Sequence, residues 1–189
     1  MKTDKEIQFE VWAQFRVARK SVIEIQNFFI DEYNISPEFL VSNLHLTIYH
    51  SRRPMPDVEE IFKSCHLSID TLDTRFMVLA PGGENPRPNL VPAKKKIGIR
   101  IHKSSKFREK ILEYRRQFFL YETRKVLGTR KPSSKTRNAF GARHFQPHIA
   151  ILKSGSGIQT DLTEVGDNFR DSIHEIHFDK FIIHKQRNF

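Results

Sequence analysis

"NLHLTIYH", residues 43–50, sets two histidines, a threonine and a tyrosine among leucine and isoleucine. Alternation of apolar and polar side chains over so short a run is the period of a half-buried strand. About a hundred residues later, "FQPHIAIL", residues 145–152, repeats the look. Side chains alternate along a strand. The first stretch is therefore expected to put His45, Thr47 and Tyr49 on one face, with Leu44, Leu46, Ile48 and His50 on the other. In the second, His148, Ala150 and Leu152 share a face, and Ile149 and Ile151 the opposite one. The aliphatic faces suit packing on helices. The histidine faces then look toward something polar.

Working outward, each histidine strand closes a similar unit. "IQFEVWAQF" (7–15) reads as a strand, and Ala18, Val22, Ile25 and Phe29 fall on one helical stripe, predicting a helix over 17–33 before the first histidine strand. "KIGIRIHK" (96–103) alternates as a strand. Phe107, Ile111, Tyr114, Phe118 and Tyr121 form a second stripe, with Ser104 or Ser105 as its cap. Between the units lie a helical candidate, "VEEIFKSC" (58–65), a strand, "TRFMVLA" (74–80), and a Pro- and Gly-rich loop at 81–92. "EIHFDKFIIHK" (175–185) is expected as a closing strand. Strand, helix and histidine strand thus occur twice, in pattern and not in identity. This predicts one domain, 1–189, of two lobes, approximately 1–85 and 93–189, with strands free to exchange between them. Each lobe offers a histidine strand to a shared groove.

Composition narrows the class. The chain has 189 residues with 16 Phe, enough for a core, and its 38% apolar content excludes a disordered polymer. One cysteine, Cys65, excludes a disulfide framework and fits a reducing compartment. No apolar run approaches the roughly 18 residues of a membrane span. The expectation is a cytoplasmic, monomeric protein with no membrane partner. The net charge of +10 favours a polyanionic partner, RNA or a nucleotide.

Two imidazoles across a groove suit phosphoryl chemistry. One, neutral, takes a proton from the attacking oxygen; the other, protonated, gives one to the leaving oxygen. Thr47, two residues from His45, can donate to a phosphate oxygen. Tyr49, Arg143 and Lys153 are further candidates for holding the phosphate. No cofactor and no metal is expected. "HEIH" (174–177) would turn its two histidines to opposite faces of a strand, and no His-Glu-x-x-His is present. Cys65 beside His66 reads as structural, and "SGSG" (154–157) as a turn without the Lys of a phosphate loop.

Two copies of His–apolar–Thr/Ser–apolar mark a known family. "HLTI" (45–48) and "HIAI" (148–151), with the "PH" entry to the second and the order of elements around both, resemble the two-histidine (2H) phosphoesterases, the 2′-5′ RNA ligase-like proteins. The resemblance spans most of the chain. It implies an α/β (α+β), bilobal, pseudo-twofold fold, with two antiparallel-type sheets flanking a central groove and helices outside. It implies metal-independent cleavage, or reversible ligation, of 2′-5′ linkages or 2′,3′-cyclic phosphates. His45 and His148 carry over as the acid–base pair and Thr47 as a phosphate ligand. Ala150 stands where the second Thr or Ser belongs, so no hydroxyl carries over there. That departure supports a second reading, a non-catalytic RNA- or nucleotide-binding module on the same scaffold.

From Thr123 to Thr160 there is no Asp or Glu, while Arg124, Lys125, Arg130, Lys131, Lys135, Arg137, Arg143 and Lys153 lie there. This segment leads into His148 and is expected as a basic loop at the mouth of the groove, with Phe140 and Phe145 to stack on bases.

Overall fold

The computed structural model describes residues 11–51, 53–58, 67–79, 96–126, 128, 145–158 and 160–185. Residues 59–65 of the candidate helix, the loop at 81–92 and most of the basic segment, Arg143 included, lie outside them.

The first unit is β1 (Val11–Val17), α1 (Arg19–Tyr33) and β2 (His45–Ser51), with a 3₁₀ turn at Pro37–Phe39. In β1, Val11, Ala13, Phe15 and Val17 are buried, and Trp12, Gln14 and Arg16 face the other way. α1 stops at Asn34, which takes the left-handed conformation that Asn tolerates (φ 51°). Then come β3 (Leu67–Asp70), a 3₁₀ turn at Thr71–Asp73 and β4 (Thr74–Leu79). The second unit is β5 (Lys96–Ile101), α2 (Lys106–Tyr121), a π turn at Glu122–Val126 and β6 (His148–Leu152). Ser105 caps α2, its Oγ accepting from the Phe107 N–H at 3.1 Å. Last are α3 (Leu162–Ser172) and β7 (Glu175–Lys185).

The fold is α+β with two sheets, ordered β2-β1-β7-β3 and β4-β5-β6. Every described pairing is antiparallel. The two units are arranged alike. β1 pairs with β2 and β5 with β6, and the strand on the other side of β1 is β7, as that of β5 is β4. Each sheet therefore contains a strand from the other half of the chain, and the halves are laced together. The segment before β2 adds a further stitch. Leu40 bridges Leu152, Val41 N–H donates to the Ile151 carbonyl at 2.9 Å, and Lys153 N–H donates to that of Phe39 at 2.7 Å. These bonds join the approach to β2 to the end of β6, and the two histidine strands lie against each other.

The helices cover the apolar faces, largely through aromatic rings. α2 lies on the first sheet, with Tyr114 edge-on to Phe15 (5.2 Å), Phe118 stacked on Tyr49 (5.5 Å) and Phe107 on Phe178 (5.5 Å). α1 and α3 cover the second sheet, where Phe29 stacks on Phe76 (5.5 Å) and Phe28 meets Phe169 edge-on (5.4 Å). Offset and edge-on geometries of this kind are the favoured aromatic arrangements. α3 was not expected from periodicity, because its stripe of Leu162, Val165 and Phe169 spans only two turns and includes Gly166. That glycine lets the helix approach: a Cβ there would stand 3.1 Å from the Cβ of Phe76. The sequence signal for α3 is its start, where Asp161 accepts from the Thr163 N–H at 2.7 Å and Glu164 lies in the first turn.

Candidate functional site

Both histidine strands carry a β-bulge, and in the same place. In β2, Thr47 faces Gln14 and Tyr49 faces Ala13, so Ile48 is an extra residue. In β6, Ala150 faces Gly98 and Leu152 faces Ile97, so Ile151 is extra. Each bulge falls three residues after the histidine. A bulge puts two residues opposite one and resets the alternation beyond it.

This corrects the expected faces. Tyr49 does not share the face of His45 and Thr47. It is 1% exposed on the apolar side, and its hydroxyl donates to Glu122, which is buried in the π turn after α2. Burial, then Glu122, push the Tyr49 phenol well above its ordinary pKa, so it stays a neutral donor. Ser51 Oγ donates to the same carboxylate at 2.9 Å, and Arg53 pairs with it at 3.4 Å. The Tyr49 hydroxyl is thus bound inside the core instead of facing a phosphate. In exchange, the bulge turns His50 out of the apolar face to the side of His45 and Thr47. Leu152 likewise joins the buried Ile149 and Ile151 instead of His148.

The two first-named histidines are held alike. His45 Nδ1 lies 2.8 Å from the Asn43 carbonyl, and His148 Nδ1 lies 2.9 Å from that of Gln146. A carbonyl only accepts, so Nδ1 bears the proton in each ring and Nε2 is the nitrogen left to exchange one. Across the sheet, His45 faces Arg16 and His148 faces Arg100.

His50 ties the two strands together electrostatically. It is exposed by surface area, yet its pKa is held below the ordinary value. Desolvation comes first, followed by the positive fields of Arg115, His148 and His45. Charge at each of these three groups therefore reaches His50. A fourth imidazole, His184 on β7, stacks on Trp12 at 5.0 Å and accepts from the Gln14 side-chain amide at 3.0 Å. Burial, then His45, lower its pKa.

Arg115 of α2 joins the histidine strands physically. Its Nη1 donates to the carbonyl of Ile48, the bulge residue, at 2.7 Å. Its guanidinium lies 4.5 Å from the ring centre of Phe145, just before β6, and 5.4 Å from that of Tyr49. Among the described residues its buried Nε has no hydrogen-bond partner. Arg115 was not singled out by sequence because it stands off the apolar stripe of α2. Only the outward carbonyl of an edge strand explains its place.

The remaining candidates divide. Thr47 is half-buried on the His45 face, opposite Gln14. Lys153 is exposed, and its Nζ donates to the Glu38 carbonyl at 2.8 Å, toward the 3₁₀ turn. Arg143 and Phe140 lie outside the described residues. Phe145 holds Arg115. Among the described residues no three His, Cys, Asp or Glu side chains are grouped to share a metal ion. No described helix is long and apolar enough to cross a membrane. No family model matches this chain, and no curated protein matches it either.

Proposed function

We propose that this chain is a metal-independent phosphodiesterase of the two-histidine type, acting on RNA ends or oligonucleotides that carry a 2′,3′-cyclic phosphate or a 2′-5′ linkage. The observation that carries the reading is the equivalence of His45 and His148. Each opens a strand bulged at the same step, and each has Nδ1 bound to the carbonyl two residues earlier. Their Nε2 atoms are then the proton-exchanging groups, one on each sheet.

In this reading a water or ribose hydroxyl attacks phosphorus as one neutral imidazole takes its proton. The phosphorus–oxygen bond to the leaving group breaks as the other, protonated, imidazole donates to that oxygen. The roles exchange in the reverse direction. Each transfer contributes about 10²- to 10⁴-fold. Thr47 donates to a non-bridging oxygen, and the charge of Arg115 offsets that of the phosphate. The chain works as a monomer in the cytosol without a cofactor.

Ala150 favours a second reading, an RNA- or nucleotide-binding module that does not turn its ligand over. A panel of 2′,3′-cyclic and 2′-5′ substrates incubated with EDTA separates the two. The phosphodiesterase reading expects products, and their loss in His45→Ala and in His148→Ala with the fold retained by circular dichroism. Salt-sensitive RNA binding with no product establishes the binding module instead.

A further inference from the structure

The site face of the second sheet carries a row of positive charge that begins at a histidine. His148 on β6 faces Arg100 on β5, and Arg100 faces Arg75 on β4. Two strand spacings make this row roughly 10 Å long, farther than one phosphate covers. None of the residues of β4, β5 or β6 is an Asp or Glu.

The first sheet has the matching row, His45, Arg16 and Lys180, and there Arg16 is paired. Arg16 holds Asp179 with two contacts of 3.1 Å. The strands of the first sheet carry the carboxylates Asp70, Glu175 and Asp179, where those of the second carry none.

Among the described residues the row ends at β4, the last strand of the second sheet, against α3. A cavity of about 450 Å³ lies there, and Leu72, Arg75, Phe76, His102, Thr163 and Arg170 are among its lining residues. Leu72 is 71% exposed, more than any other large apolar side chain described. Four carboxylates beside the lining residues have partners: Asp167 with Arg170, Asp73 with the Ser105 hydroxyl at 2.7 Å, Asp70 with the Leu72 N–H at 2.8 Å and Asp161 with the Thr163 N–H at 2.7 Å. A bare apolar side chain beside cations, at the end of a cationic row, is a place for a base and its phosphate.

We propose that a single-stranded nucleic acid held at His45 and His148 runs on over the second sheet. Its backbone phosphates follow Arg100 and Arg75, and a base enters the cavity between β4 and α3 against Leu72. The inference rests on the phosphodiesterase reading for the position of the first phosphate. It deepens that reading by naming an oligonucleotide, longer than a dinucleotide, as the preferred ligand.

Fluorescence anisotropy with a labelled single-stranded RNA of roughly 12 nucleotides, within the footprint of such grooves, tests this over a salt series. A labelled dinucleotide serves as the short comparison. Each phosphate contact contributes about 0.7 to the slope of log affinity against log salt, which is about fivefold in affinity at about 0.1 M. Arg75→Gln is expected to lower the slope by about 0.7 and weaken the longer RNA about fivefold. Leu72→Asn is expected to weaken it with the slope unchanged. Arg116→Gln, on an exposed part of α2, is the charge control and should match the wild type. Both test residues are exposed, and thermal melts check that each variant folds. A wild type that binds the two RNAs equally, or a slope unmoved by Arg75→Gln, overturns the track. Loss of the slope increment in a chain that yields no product leaves the track standing and removes the phosphodiesterase reading. Product formation with an unmoved slope does the reverse.

Discussion

Gly98 lies so close to Ile149 that a Cβ on it would stand 2.0 Å from the Ile149 carbonyl oxygen. The bulge at Ile151 presses β6 against β5 at this point, one residue from His148. Glycine is required here by approach and not by a left-handed backbone.

Gly98→Ala should therefore push β6 away and misplace His148. A cost of about 3 kcal/mol corresponds to a melting temperature lower by roughly 6–12 °C for a chain of this size. Turnover should fall by roughly tenfold to a hundredfold even well below the melt. A variant with wild-type melting and wild-type rate would show that β6 does not need this contact.

Tyr49→Phe separates a buried structural role from a substrate contact. The lost bond to the Glu122 carboxylate is worth about 1.5–3 kcal/mol, a fall of roughly 3–12 °C in melting temperature. The rate on a cyclic phosphate at low temperature should stay within about twofold, since one bond on the far side of the sheet leaves the acid–base geometry in place. A rate loss without a stability loss would return Tyr49 to the site face.

His50 and His184 make the folded chain acid-sensitive in the histidine range. Both are held below their ordinary pKa, so the unfolded chain binds protons that the folded chain resists. Stability is then full above the ordinary histidine pKa of about 6.5 and declines as pH falls through it toward the folded values. Melting temperature should drop between about pH 7 and pH 5, and His50→Gln should make that drop smaller. Asp161, lowered by the Thr163 N–H, acts in the carboxylate range and leaves this window clear. An unchanged pH profile in His50→Gln would detach His50 from Arg115, His148 and His45.

Ala150→Thr supplies the hydroxyl that His45 has in Thr47. Position 150 is half-buried on the site face opposite Gly98, and a β-branched residue suits a strand. A bond to a charged oxygen is worth about 1.5–3 kcal/mol, so turnover of a cyclic phosphate should stay equal or rise by up to about tenfold. A marked fall would mean that alanine fits a ligand geometry other than the one proposed.

Much of the fold was legible because its signals are local. Apolar alternation marked β2, β5 and β6, the segments of β1, β4 and β7 also read as strands, and period near 3.6 marked α1 and α2. Boundaries moved by only a few residues: the helix expected at 17–33 runs Arg19–Tyr33. The cap at Ser105 was legible for the same reason, as a hydroxyl just before an apolar stripe. α3 was missed because two turns are too short a stripe, and β3 because Leu67–Asp70 spans four residues.

The site was legible only up to the bulges. Period-two reading placed Tyr49 beside His45, and one inserted residue reversed it, burying Tyr49 and releasing His50. Nothing in "HLTIYH" announces that insertion, because a bulge is a relation between two strands.

The sequence by itself determined most of the strands and two of the three helices, that two of the strands begin on histidine, and that Thr47 is matched by Ala150. These follow from side-chain size, period and charge along a few consecutive residues. The tertiary structure alone decided the exchange of β4 and β7 between sheets, the side on which Tyr49 and His50 lie, the bridging place of Arg115 and the cationic row from His148 to Arg75. Each of these depends on which backbone groups pair across gaps of many residues. Pairing is set by the packing of the whole core, so no short window of the chain contains it.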